Sequence, residues 1–189
     1  MLKSLCALLL ALPFCAAAGV VGFFGDYAPA DWTFTNDAFG NSTLDWSGAP
    51  NSATLYRNNA VAPGLSAESS FQTVAAYAGT ISFEYFFGTG DSSWNVNHNE
   101  FGVIQDSIQT VLFDSVSGNS PNSNYQTYSF AVSAGETFGF FIYTNNNDGN
   151  GGESVSISDF DGSTPEPASL ILVLGGIGGM VLRRRLSRH

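Results

Sequence analysis

His98 is the only histidine between residues 19 and 164, and it lies in a polar stretch, Gly88 to Glu100, close to Asp91, Ser92 and Ser93. A Ser-His-Asp triad drawn from these residues would need a nucleophile elbow such as G-x-S-x-G, and none is present. A solvated loop histidine is the expectation. Paired carboxylates for glycoside hydrolysis need a fixed separation across a cleft. Glu84, Glu100, Glu136 and Glu153 carry no motif that would set one. The segment is therefore expected to be non-enzymatic.

Metal chemistry has better material. Calcium takes several oxygen ligands on a loop that can curl around it. Asp148, Asn150 and Glu153 sit among glycines, and Asp91, Asn95 and Asn97 form a second oxygen-rich stretch. Ca2+ at Asp91, Asn95, Asn97, Asp148, Asn150 and Glu153 is the one cofactor expectation, weighed against hairpin loops rich in Asn and Gly for their left-handed backbone angles. The stretch that holds Asp148, Asn150 and Glu153 does not fit an EF-hand loop. The shortage of His and Cys argues against transition metals. Trp94 stands inside the same polar stretch, where a ring beside Asn side chains offers a stacking platform for a sugar; Trp46 and Tyr56 are weaker candidates of that kind.

These residues must be positioned by strands. Thr80 to Phe87 alternates Ile81, Phe83, Tyr85 and Phe87 against Ser82 and Glu84, a period of two that a packed sheet uses. Ile108 to Phe113, Tyr125 to Val132, Glu136 to Tyr143 and Ser154 to Phe160 are similar. Weaker runs cover Trp32 to Thr35, Ser42 to Trp46, Ala53 to Arg57 and Phe71 to Ala76. Turn-formers separate them, among them Gly48-Ala49-Pro50, Gly88 to Asp91 and Asp148 to Gly152. Eight to ten short strands at this spacing predict an all-β, antiparallel β-sandwich, with a jelly roll as one form of it.

The two ends of the chain read differently. Lys3, the apolar run Leu5 to Phe14 and Ala16-Ala17-Ala18 before Gly19 form a secretory signal peptide over residues 1–18, with the A-x-A cleavage site at Ala16, Ala18 and Gly19. Export through the secretion translocon follows. Both cysteines, Cys6 and Cys15, lie inside it, so the exported chain is expected to lack disulfides and thiol chemistry. Pro13-Phe14 before Cys15 argues against a lipoprotein signal. Arg57 is the only Lys or Arg of the exported domain, against fifteen Asp and Glu residues, a balance of −14. Such a surface repels phosphate backbones, so no nucleic-acid partner is expected. It also repels acidic polysaccharide unless divalent cations bridge the two.

At the other end, Pro165-Glu166-Pro167 precedes an apolar stretch, Ala168 to Leu182, and then Arg183, Arg184, Arg185 and Arg188. As a helix the stretch spans about 22 Å, short of the ~30 Å hydrocarbon core. The arginines stop it and set its orientation, C-terminus cytoplasmic. The prolines keep the residues before it extended, as a processing enzyme requires.

This order of PEP motif, short hydrophobic helix and terminal arginine cluster resembles the PEP-CTERM sorting signal of Gram-negative bacteria. The resemblance implies an exosortase as partner, a transient inner-membrane anchor and processing near Pro165-Glu166-Pro167. The destination would be the cell surface or extracellular matrix. The domains are then a signal peptide at 1–18, a β-sandwich ectodomain at 19–162 and the sorting signal at 163–189.

A second likeness covers much of residues 70 to 160. Phe71-Gln72-Thr73-Val74, Gly79-Thr80-Ile81-Ser82-Phe83-Glu84-Tyr85, Val132 to Phe140 and Ser156-Ile157-Ser158-Asp159-Phe160 resemble ectodomains often found ahead of that signal. Glu136 and Asp159 stand where their pattern usually has Asp and Asn. The resemblance implies an envelope protein of polysaccharide-producing bacteria, structural or adhesive and linked to exopolysaccharide or biofilm. A glycan-binding module is the alternative.

Overall fold

The computed structural model describes residues 20–36, 42–57, 65–89, 98–115, 124–146 and 152–163. Eleven strands carry the chain: β1 (Val20–Val21), β2 (Thr33–Asn36), β3 (Ser42–Asp45), β4 (Ser52–Arg57), β5 (Leu65–Val74), β6 (Gly79–Thr89), β7 (His98–Gln105), β8 (Ile108–Asp114), β9 (Gln126–Val132), β10 (Thr137–Asn146) and β11 (Glu153–Ser163). Two short 3₁₀ turns, Gly25–Tyr27 and Pro29–Asp31, lead from β1 to β2. Among the described residues no helix is long and apolar enough to cross a membrane.

All pairings are antiparallel. One sheet runs β3-β4-β11-β6-β9, with β1 also pairing β11; the other runs β2-β5-β10-β7-β8. From β4 onward each strand lies in the opposite sheet to its predecessor until β8, and the chain then winds back through β9, β10 and β11. That is jelly-roll connectivity, and the sandwich expected from the alternating runs is what forms.

Period-two alternation supplies the core. In β4 the inward positions Ala53, Leu55 and Arg57 are buried while Ser52, Thr54 and Tyr56 face out. In β6, Ile81, Phe83, Tyr85 and Phe87 face in. Aromatic rings bridge the two sheets: Phe83 meets Phe140 edge-on at 4.8 Å, and Phe87 stacks on Phe113 at 4.1 Å. Such contacts contribute about 0.5–1.5 kcal/mol each beyond the area they bury.

The two ends of the sandwich differ in chemistry. At one end the core is aromatic. Trp32 packs against Phe23, Phe138, Phe140 and Phe160, and its indole N–H donates to Tyr27 O at 3.1 Å. Trp46, partly buried, joins this group through Phe23 and Phe71, so its ring is engaged with the core. Gly22, at φ +94°, brings the chain close against Pro50; a Cβ there would lie 2.7 Å from Pro50 O, too near for any side chain.

At the other end the core is polar. Ser42, Arg57, Ser69, Asn99, Thr144 and Glu153 are all buried there. Ser69 Oγ donates to Asn36 Oδ1 at 2.6 Å, Arg57 Nη1 donates to Ala67 O at 2.5 Å, and Thr144 Oγ1 donates to Asn99 Oδ1. The Asn99 amide N–H donates to Ser115 Oγ at 2.9 Å.

The strand β7 has no counterpart among the runs read from the sequence. Its segment, His98 to Gln105, falls partly in what reads as a polar loop, and Gly102 interrupts its apolar pattern. Gly102 is needed there. A Cβ at that position would lie 2.6 Å from Cε1 of Phe141, whose ring covers it on the outer face of the sheet.

Candidate functional site

Two outer sheet faces carry exposed functional groups. On the six-stranded sheet the register aligns Thr43, Tyr56, Ser154 and Gly88 in one row across β3, β4, β11 and β6. The next row aligns Asp45, Thr54, Ser156 and Phe86. Apart from the two aromatics and Asp45, these rows hold only hydroxyl residues and a glycine.

Of the two aromatics Tyr56 is exposed on that hydroxyl surface, and Phe86 is half-buried. Tyr56 is 46% exposed and borders a cleft of about 440 Å³ with Thr43, Gly152, Ser154, Arg57 and Glu153. Phe86 lies two strands away, about 10 Å, and one row down, about 7 Å. Its ring packs at 5.3 Å on Tyr125, which is 53% exposed. Asp45 at the edge is held ionised: the Ser47 amide N–H donates to Oδ1 at 2.8 Å and the Ser47 hydroxyl to Oδ2 at 3.0 Å, which lowers its pKa. Beneath Tyr56 the floor is rigid, because Arg57 and Glu153 are Cα partners and both turn inward.

On the five-stranded sheet one row crosses four strands as Asp114, Glu100, Tyr143 and Glu68. His98 stands beside it, with Nε2 at 2.7 Å from Glu100 Oε1 and 3.4 Å from Asp114 Oδ1. The His98 ring meets Tyr143 edge-on at 5.7 Å. His98 is thus the first residue of a strand and partnered by two carboxylates, where the sequence suggests a solvated loop residue. Ser92, Ser93 and Asp91, the other members of the triad considered from sequence, lie outside the described residues.

A third feature is a cleft of about 670 Å³ at the aromatic end, bordered by Asp26, Asp31, Thr33, Gln72, Thr73 and Thr137 among others. Asp26 accepts a hydrogen bond from Tyr77, which raises the Tyr77 pKa. Among the described residues that border this cleft none is aromatic, whereas Tyr56 borders the cleft on the six-stranded sheet.

Of the residues singled out from sequence, Trp94, Asp91, Asn95, Asn97, Asp148 and Asn150 lie outside the described residues. So do the cleavage site Ala16, Ala18 and Gly19, the Pro165-Glu166-Pro167 motif, and Arg183, Arg184, Arg185 and Arg188. Glu153, the one calcium candidate that is described, is a strand residue, 2% exposed and opposite Arg57. Tyr56 keeps the exposure a platform needs. No sequence signal marks Phe86, Tyr125 or Tyr143 as functional, although Tyr56 occupies an outward position of a clean alternation.

No known family model matches the chain, and no curated protein matches it. Solved structures similar to it include a mutant of a family 29 carbohydrate-binding module, at 17% identity and TM-score 0.40 over 78% of this chain and 93% of that one. A family 35 carbohydrate-binding module from Clostridium thermocellum matches at 12% identity and TM-score 0.37, over 75% and 98%. The K2 cleaved adhesin domain of Lys-gingipain matches at 13% identity and TM-score 0.42, over 76% and 97%.

Proposed function

We propose that the chain is an exported, non-catalytic surface protein whose sandwich binds a polysaccharide on the outer face of its six-stranded sheet. The observation that carries this is Tyr56: a half-exposed ring on a rigid strand, bordering a cleft whose outward neighbours are Thr43 and Ser154. A sugar offers an apolar face for stacking and hydroxyls for hydrogen bonds, and this surface supplies a partner for each. Phe86 and Tyr125 extend the platform toward the β6–β9 edge, which suits a polymer better than a single sugar. The Ser/Thr surface donates and accepts without charge, which suits a neutral glycan on a domain of strong negative charge.

The signal peptide and the PEP-CTERM-like tail complete the proposal. The chain is carried across the inner membrane, held there transiently by residues 168–182, and cut near Pro165-Glu166-Pro167 by an exosortase. It then joins the cell surface or matrix, where binding exopolysaccharide gives it an adhesive, structural part in the biofilm.

Affinity electrophoresis of the purified chain through gels containing neutral or acidic polysaccharides tests the binding. Retardation by at least one neutral polysaccharide is expected, abolished by Tyr56→Ala and retained by Tyr143→Ala. Equal retardation of wild type and Tyr56→Ala would exclude this face. Mass spectrometry of the C-terminal peptide, in cells with and without their exosortase, tests the sorting: an end near Pro165 to Pro167 is expected only with the enzyme.

A further inference from the structure

We propose that His98, Glu100 and Asp114 form a binding site for a divalent transition-metal ion of the Zn2+ class, on the outer face of the five-stranded sheet. The three side chains come from two adjacent strands, His98 and Glu100 from β7 and Asp114 from β8, and one ligand atom of each lies within 4.8 Å of the other two. One imidazole nitrogen and two carboxylate oxygens make a borderline donor set, which suits Zn2+ and its neighbours. Calcium takes six to eight oxygens, and the described residues of the cluster offer only two carboxylates.

The spacing fits as well. Tetrahedral zinc at its usual bond lengths holds its ligands about 3.3–3.5 Å apart. His98 Nε2 and Asp114 Oδ1 are already 3.4 Å apart. His98 Nε2 and Glu100 Oε1 are at 2.7 Å, a hydrogen bond that opens by about 0.6 Å when the metal replaces the proton between them. Tyr143, edge-on to the imidazole, restricts the ring. Both strands are fixed by ladders, so the donors are positioned before the ion arrives. Three protein ligands leave the fourth position of a tetrahedral ion to water or to another oxygen donor.

The sequence disfavours such metals because His and Cys are scarce, but scarcity matters only if donors are scattered. The β7–β8 register, with Glu100 opposite Asp114, concentrates them. This site lies on the sheet opposite Tyr56 and stands whether or not that face binds glycan.

The test is isothermal titration of the EDTA-treated, purified chain with ZnCl2. One ion per chain is expected, with at least tenfold weaker binding for His98→Ala and for the double variant Glu100→Gln/Asp114→Asn. Tyr56→Ala should bind zinc as wild type does. No zinc binding by the wild type, or undiminished binding by His98→Ala, would overturn the assignment. So would tight Ca2+ binding that zinc fails to displace. Should the variants fail to fold, Co2+ loading of the wild type decides: a paramagnetically shifted imidazole resonance from His98 supports the site, and its absence overturns it.

Discussion

Tyr56 and Arg57 are consecutive residues of β4 with opposite fates: the tyrosine ring is 46% exposed, and the arginine beside it is 2% exposed. A single step of the pleat separates a half-exposed ring of the hydroxyl face from the only Lys or Arg of the ectodomain. The surface group is free for a ligand, and the buried group fixes the strand that presents it.

This separation predicts a clean split between binding and stability at Tyr56. Tyr56→Ala should weaken polysaccharide binding at least tenfold, about 1.4 kcal/mol. Its unfolding free energy, measured in urea, should stay within about 0.5 kcal/mol of wild type. A loss of both together would mean that Tyr56 supports the fold instead.

The opposite split is expected at Arg57. Arg57→Ala removes the donor to Ala67 O and leaves the inward-turned Glu153 in a pocket emptied of its register partner. Loss of a buried charged group of this kind costs about 3–5 kcal/mol. Replacing Arg57 and Glu153 together with leucine should recover part of that loss, measured by denaturant unfolding of the single and double variants.

Gly102→Ala tests the outer face of the other sheet. The added Cβ would run into the backbone O of Thr110 and stand 2.6 and 2.9 Å from ring carbons of the fully buried Phe141. A destabilisation of about 1–3 kcal/mol is expected from overpacking, read from the thermal transition. Gly135→Ala, whose added Cβ would meet nothing within 4 Å, would feel only its φ of +84° and serves as the comparison.

Alkaline pH acts through two buried phenols. Burial raises the pKa of Tyr85, whose hydroxyl donates to Leu112 O at 3.2 Å, and likewise raises that of Tyr27. A group whose folded pKa is raised contributes stability that is fully present below the unfolded value of 10.0 and is lost as pH rises through the folded value. Stability set by these phenols should therefore be level from neutrality to about pH 10 and fall beyond it. Tyrosinate absorbance against pH should show a late fraction that appears together with unfolding, and Tyr85→Phe should delay that unfolding.

Much of this arrangement is legible along the chain. Ser52 to Arg57 alternates cleanly, so the outward place of Tyr56 and the inward place of Arg57 follow from the period alone. What alternation does not carry is identity across strands. That Thr43, Tyr56 and Ser154 share a row depends on a register set by residues about a hundred positions apart. His98 and Asp114 are close in sequence, and their meeting depends on the pairing of β8 with β7. That strand escapes a propensity reading because Gly102 lacks a side chain and Ile104, on the outer face of the sheet, is buried like the inward residues. Trp46 reads as a surface candidate because its run is short, yet it is claimed by Phe23 and Phe71 once the sandwich closes.

The place of β11 has a mechanical consequence. Its end, Ser163, is where the chain leaves the sandwich toward the tail, and β11 is the central strand of its sheet, bonded to β4 on one side and β6 on the other. Tension drawn through that end meets no edge strand that can peel away one bond at a time. It must shear two ladders together, along the strand axis, while Val20 and Val21 clasp the same strand near its exit. A domain hung from its C-terminus in a flowing medium is thereby held by its strongest seam.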